Sequence, residues 1–102
     1  MSGVLNPYFF KYETVAASQT AQVLGGTGAA GDYLHRLIVN VITVAQASVT
    51  LIDGSTNIVI STAGSAVLGP ISLDMNMVAE TGPWKITTGS GVTVVAVGIF
   101  SA

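Results

Sequence analysis

Cysteine is absent from this chain of 102 residues, and charge is scarce. Without thiols the chain can form no disulfide framework, no thiolate metal site and no cysteine nucleophile. Only 8% of the residues are charged, against a usual share of about 25%. The net charge of −2 argues against nucleic acid as a partner, because proteins meet a phosphate backbone with lysine and arginine. Half of the residues are hydrophobic, which excludes a disordered tail.

The polar residues that usually line helix surfaces are also few: 2 Glu, 2 Lys, 1 Arg and 3 Gln. In their place stand 14 Val, 8 Ile and 11 Thr, whose branched side chains favour extended strands. Twelve glycines punctuate the chain. A chain of this length forms one domain, and this composition predicts an all-β one. So small a domain cannot hide all of this apolar surface, which is a first indication of a partner.

Residues 37–52 form the best candidate for a membrane span, and they do not fit one. The segment has 16 residues and is interrupted by polar side chains, whereas a spanning helix needs about 20 mostly apolar residues. The N-terminal residues lack a basic leader followed by an apolar core, so we expect no signal peptide. We therefore expect no membrane partner.

Alternating apolar and polar residues predict seven or eight strands with turn signals every 8–12 residues. This spacing is typical of an antiparallel β-sandwich or jelly roll over residues 14–102. Residues 53–56, Asp-Gly-Ser-Thr, predict a hairpin between two of these strands. The expected strands are 14–24 (one or two edge strands), 32–44, 48–53, 57–61, 71–77, 84–88 and 92–100.

Two of these predicted strands, residues 32–44 and residues 92–100, indicate which side chains face the core and which face outward. Regular alternation in residues 32–44 places His35, Leu37, Val39 and Val41 on one face and Leu34, Arg36, Ile38 and Asn40 on the other. Residues 92–100 are apolar on both faces, which is typical of a central strand or of a subunit contact. Its candidate contact residues are Val95, Val97, Ile99 and Phe100.

Residues 1–13 differ from the rest and are predicted to form an N-terminal arm. Four of the chain's seven aromatic residues lie here, at Tyr8, Phe9, Phe10 and Tyr12. These rings either fold back onto the domain core or anchor in a neighbouring subunit, since aromatic residues are common interface anchors. Arg36 has two similar interpretations: a solvated strand residue or one half of an intersubunit ion pair.

The motif G-x-G-x-x-G occurs at Gly26, Gly28 and Gly31, with Asp53 downstream at a spacing typical of a ribose-binding acid. A dinucleotide site needs this motif between a strand and a helix, so that the helix N-terminus meets the pyrophosphate. The residues that follow here have the period of a strand. We therefore interpret the motif as an ordinary loop and expect no nucleotide cofactor.

No catalytic or metal-binding constellation is evident, so we expect no enzyme, cofactor or metal. His35 is the single histidine and has no linked nucleophile or acid in the sequence. Turn aspartates leave a calcium site or a carboxylate pair open as less favoured alternatives. Trp84 alternates with Ile86, which favours the core over an exposed sugar-stacking ring.

Three segments resemble parts of short virion proteins of tailed bacteriophages: GDYLHRLIVNVITV (31–44), VTLIDGSTNIVI (49–60) and WKITTGSGVTVVAVGIF (84–100). The resemblance covers roughly residues 20–100. It implies a capsid decoration, or cement, protein: a β-sandwich without catalytic residues that docks on the outer surface of the capsid. Its implied partners are the major capsid protein and further copies of itself, with a homotrimer favoured and a dimer as the alternative.

The residue types found at protein–protein interfaces agree with this resemblance, because large aromatic side chains and arginine are typical of them. The partner-binding candidates are Tyr8, Phe9, Phe10, Tyr12, Arg36, Val95, Val97, Ile99 and Phe100. A second hypothesis is a glycan-binding or fibre- or tail-associated module of the virion, which requires Trp84 or Tyr33 to be exposed beside polar residues.

Overall fold

The computed structural model describes residues 10–64 and 68–102, which form two four-stranded antiparallel sheets packed face to face. Sheet A has the order β1 (Lys11–Val15), β8 (Val92–Ile99), β3 (Tyr33–Val41), β6 (Gly69–Val78). Sheet B has the order β2 (Gln22–Val23), β7 (Trp84–Thr88), β4 (Val49–Asp53), β5 (Thr56–Ser61). The predicted all-β sandwich is confirmed.

Local sequence signals place most strands correctly. The predicted hairpin joins β4 to β5, and Gly54 supplies the positive φ of +61° that its turn requires. Strand β6 shows one exposed face and one half-buried face along its whole length, as its alternation predicts. Strand β8 lies between β1 and β3, so the strand that is apolar on both faces is central in its sheet.

The first strand starts earlier than expected. Residues 11–13 pair with β8 as part of β1, so the predicted boundary between residues 13 and 14 falls inside a strand. The edge predicted over residues 14–24 consists of the end of β1 and the two-residue β2. Ser18 and Ala21, both with positive φ, turn the chain between the two sheets.

The face assignment predicted for β3 is wrong at its N-terminal end. A bulge at His35 shifts the register between Leu34 and Arg36 against both β6 and β8. The extra residue moves Leu34 onto the buried face, together with Leu37, and turns His35 outward. Strict alternation cannot anticipate this, because a bulge changes the parity of every residue that precedes it.

The core lies between the two sheets and takes its fully buried side chains from β1, β3, β4, β7 and β8, together with Leu24 directly after β2. Its fully buried large side chains are Trp84, Leu24, Leu34, Leu37, Leu51, Ile86, Val15, Val49, Val92 and Val94. The connection from β3 to β4 contains a single 3₁₀ turn, Val44–Gln46. Over residues 10–64 and 68–102, the structure contains no helix with the length and apolar character needed to cross a membrane.

Candidate interaction face

Strand β8 carries a row of outward-facing aliphatic side chains. Val92, Val94 and Ala96 point into the sandwich and are fully buried, whereas Val95 and Val97 alternate with them and point outward. Because β8 is central in sheet A, these outward side chains lie in the middle of the sheet surface. They are half-buried by their neighbours alone.

The two strands that flank β8 extend this row sideways. Val97 lies opposite Tyr12 of β1 on one side and opposite Arg36 of β3 on the other. Val95 lies opposite Ile38 in the same way. Tyr12 is 75% exposed, the largest exposure among the large hydrophobic residues of the described chain. We call this surface the sheet A face and define it by Tyr12, Arg36, Ile38, Val95, Val97 and Ile99.

Sheet B presents a different outer surface. Its central strand β4 exposes one aliphatic side chain, Ile52, together with Thr50. These residues lie opposite Lys85 and Thr87 of β7. The outer side of sheet B also has an exposed aliphatic residue, Val59 of β5, opposite Thr50. The larger group of adjacent outward apolar side chains lies on sheet A, and this side is the candidate for docking.

Charge on the sheet A face is neutralised within the chain. Arg36 Nε donates to Asp74 Oδ1 of β6 at 3.2 Å. Both side chains are well exposed, so the pair contributes little to stability. Arg36 is thus a half-exposed strand residue with an ion pair in its own chain, and its contact with a second subunit stays a prediction.

An aromatic cluster closes one end of the same face. The ring centroid of Phe10 lies 4.8 Å from that of His35 and 5.8 Å from that of Tyr33. The Tyr33 hydroxyl donates to Asn76 Oδ1 at 2.7 Å, and His35 Nδ1 lies 3.1 Å from the same oxygen. The bulge in β3 is what brings His35 outward to this amide. The histidine is thus held by an amide oxygen and packed against an aromatic ring, as in a structural contact.

The structure gathers most of the predicted partner-binding residues on this one face. Phe10, Tyr12, Arg36, Val95, Val97 and Ile99 all lie on it. Tyr8 and Phe9 lie outside the described residues. Phe100 is 8% exposed and belongs to the core, which removes it from the surface set. Sequence reasoning missed Ile38 as a member, because only the β3–β8 register places it beside Val95.

The glycine motif is an ordinary loop fastened to the rest of the chain. The backbone N–H groups of Thr27 and Gly28 donate to Ser101 O, at 3.3 and 3.1 Å. Gly25 N donates to Glu13 Oε1 at 2.8 Å. Strand β3 follows the loop, where a dinucleotide site requires a helix. These N–H groups satisfy protein acceptors, which agrees with the interpretation of the motif as a loop.

Two aspartates are buried, and both hold loops in place. Asp32 Oδ2 accepts from the N–H groups of Ala29 and Ser101, at 3.0 and 2.9 Å. Asp53 accepts from Glu80 N at 3.0 Å and from Thr81 N at 3.1 Å. Both carboxylates face backbone donors, which is the arrangement of a structural anchor.

The Asp53 carboxyl has a perturbed acidity that follows from this arrangement. Burial alone would raise its pKa, but backbone N–H donors of Glu80, Thr81 and Gly82 and the Thr81 hydroxyl hold the pKa below its ordinary value of 3.8. The carboxyl is therefore ionised at neutral pH. Among residues 10–64 and 68–102 there is no group of three His, Cys, Asp or Glu side chains able to hold a metal ion.

Trp84 cannot serve as a sugar-stacking platform in this fold. Its side chain is 2% exposed, and its indole Nε1 donates to Asp32 O at 3.0 Å. The glycan-binding alternative therefore loses Trp84 and would depend on Tyr33, which lies at the surface beside His35 and Asn76. The structure agrees with the sequence preference for Trp84 as a core residue.

No protein-family model matches the chain. No curated protein matches it either. A search of solved structures finds similarity to a chain in the structure of the Tobacco streak virus coat protein dimer, at 12% identity and a TM-score of 0.37. The similarity covers 98% of this chain and 91% of that one. A TM-score of this size carries no functional argument, so the function must be argued from the chain's own residues.

Proposed function

We propose that this protein is a non-enzymatic structural component of a tailed-phage virion, a decoration protein that docks on the outside of the capsid. The observation that carries the proposal is the sheet A face, where the outward side chains of Val95, Val97 and Ile99 lie beside Ile38 and Tyr12. The resemblance of residues 31–44, 49–60 and 84–100 to short virion proteins supplies the class of partner, the major capsid protein.

The chemistry of the face suits attachment to many identical sites. Apolar contact is nearly independent of ionic strength, and the one ion pair on the face is formed within the chain. A large aromatic side chain, Tyr12, stands at the rim where it can enter a pocket of a partner. Many copies on one shell compensate for a modest affinity at each site.

A charge placed in the centre of the face tests the proposal. In Val95→Asp, docking would bury an unpaired carboxylate, because the residues opposite Val95 are Thr14 and Ile38. We therefore expect binding to capsids that lack this protein to weaken at least tenfold. Co-sedimentation with such capsids measures the binding. Ile52→Asp is the matched control, because Ile52 is also a half-buried, outward residue on a central strand, but in sheet B. Equal binding by wild type and Val95→Asp would refute docking through this face.

The predicted contribution of the N-terminal arm is tested separately by deleting residues 1–9. This deletion removes Tyr8 and Phe9 but keeps β1, which begins at Lys11. We expect weaker capsid binding with an unchanged urea midpoint, because the deleted aromatic residues act as anchors on the partner. If binding is unchanged, the arm plays no part in docking. A lower urea midpoint would instead show that the rings pack on the protein's own core.

A further inference from the structure

One lateral side of the sandwich, which we call the open side, is not covered by any of residues 10–64 and 68–102. Strands β1 and β2 form the opposite side, where Gln22 Nε2 donates to Glu13 Oε2 at 2.8 Å across the two sheets. Val15 and Leu24 are fully buried there. At the open side lie β5 and β6, the last strands of sheets B and A. Within the described chain each of them pairs with one neighbour, β5 with β4 and β6 with β3.

The inward side chains of these two strands form an apolar stripe that a single copy covers only in part. On β5 and β6 every such side chain is half-buried, whereas those of β4 and β8 are buried. The members of the open-side stripe are Ile58, Ile60, Ile71, Leu73, Met75 and Met77. Methionine side chains suit a surface that repacks against a partner, because they are unbranched and adaptable.

Strand β5 has only one feature that protects an edge, a bulge at Ile60 between the pairs Thr50–Val59 and Val49–Ser61. Its sequence, TNIVIS, has no charge and no proline. The other long edges carry such residues: β1 has Lys11 and Glu13, and β6 has Pro70 and Asp74. Val59, in the middle of β5, is 62% exposed. An uncharged, apolar edge strand of this kind is a template for pairing with another strand.

We propose that β5 pairs antiparallel with β5 of a second copy, across a two-fold axis at Val59. Directly opposed residues in an antiparallel pair have their side chains on the same face of the sheet. Because side chains alternate between the two faces along a strand, the two-fold axis must place one residue opposite its own copy, and it cannot pass midway between two successive residues. The two-residue turn makes Asp53 and Thr56 a hydrogen-bonded pair. From there hydrogen-bonded and non-hydrogen-bonded pairs alternate as far as Thr50–Val59, which precedes the bulge at Ile60. Asn57 and Val59 consequently direct their backbone groups away from β4, toward the second copy.

The size of the contact is sufficient for a specific dimer. The length of the open side is that of the ten residues of β6, or about 30 Å. Its width is that of two sheets about 10 Å apart, or about 20 Å when their side chains are included. The half of the open side along β6 measures about 30 Å by 10 Å, and the half along the six residues of β5 about 20 Å by 10 Å, so each copy covers about 500 Å². Two copies then bury about 1,000 Å², the lower limit for a specific interface. The stripe of each copy lies against that of the other, which completes both cores.

This dimer has a consequence for docking, although the dimer itself does not depend on the proposed function. Opposed side chains of two paired strands lie on the same face of the sheet. Sheet B of the second copy therefore continues sheet B of the first, with its outer side facing the same direction. Both sheet A faces then point in the same direction. The dimer presents two apolar faces to one surface, and attachment becomes bivalent.

Sedimentation equilibrium of the full chain at micromolar concentration tests the proposal. We expect a mass of twice 10.3 kDa for the wild type. Val59→Lys places a charge on each side of the axis, and we expect it to sediment as a monomer with an unchanged circular dichroism spectrum. Ile42→Lys is the matched control and stays dimeric, since Ile42 is 61% exposed but lies outside β5. A monomeric wild type, a trimer or a dimeric Val59→Lys would each overturn the two-fold contact.

A single introduced thiol gives a second, independent readout, because the chain has no cysteine of its own. Backbones of directly opposed residues in a sheet approach to about 5.5 Å, which a disulfide can span. Val59→Cys should therefore cross-link nearly completely on mild oxidation, whereas Ile42→Cys should remain mostly uncross-linked. Equal cross-linking of the two variants would contradict the proposed axis. Loss of capsid binding with intact dimers would instead count against the docking face alone.

Discussion

Replacement of Trp84 by alanine is expected to lower the free energy of unfolding by about 3–5 kcal/mol. The indole is fully enclosed and spans the space between the sheets. It belongs to β7 of sheet B, and its N–H donates to Asp32 O, immediately before β3 of sheet A. The substitution leaves a cavity and also removes this hydrogen bond. Because a domain of this size has about 5–15 kcal/mol of stability, the variant should be close to unfolding at 37 °C.

Urea denaturation followed by far-ultraviolet circular dichroism measures this loss without the tryptophan signal. Trp84→Phe separates the two contributions, because it keeps much of the apolar volume and removes the N–H donor. We expect it to cost about 1–2 kcal/mol. A loss below 1 kcal/mol in Trp84→Ala would mean that the indole is not a core residue and would reopen the sugar-stacking alternative.

Local signals in the sequence were sufficient for most of the strands. The alternation in residues 71–77 and the Asp-Gly turn before Thr56 each depend on neighbours in the chain, which a single sequence shows directly. The same alternation, continued from Val92, would have placed Phe100 on the buried face with Val94, where the structure has it. Of the two interpretations that residues 92–100 allow for Phe100, a core position and a subunit contact, this alternation favours the core.

Contacts between distant residues could not be predicted in this way. The pairing of Tyr12 with Val97 depends on a register set by the whole sheet. The bulge at His35 depends on the fit of β3 to both of its neighbours. The sequence therefore predicted which residues are apolar and extended, but only the fold shows which of them share a face. The open side of the sandwich is likewise visible only once β5 and β6 are found on the same side.

Among charged residues, Asp53 is expected to have the largest effect on the free energy of unfolding, because its carboxylate anchors the connection between β6 and β7. Its carboxylate accepts from the N–H groups of Glu80 and Thr81, and the Thr81 hydroxyl donates to Asp53 O at 2.7 Å. In Asp53→Asn one of the two oxygens becomes an NH₂ group that meets a backbone donor. We expect a loss of about 1–3 kcal/mol at pH 7, because the backbone N–H groups of Glu80 and Thr81 lose a charged acceptor. Asp74→Asn, at an exposed carboxylate, should change stability by less than about 0.5 kcal/mol.

The pH dependence of this loss distinguishes the charged anchor from a simple packing effect. The pKa of Asp53 is lower in the folded chain than in the unfolded one. At pH values between these two pKa values, the unfolded state therefore binds more protons than the folded state. Its stabilisation is complete above the unfolded value of about 3.9 and disappears as the pH falls through the lower folded value. The difference between wild type and Asp53→Asn should therefore be constant from pH 5 to 7 and shrink below about pH 4. Urea titrations across this range measure it, and a difference that stays constant down to pH 2 would show that the charge of Asp53 does not stabilise the loop.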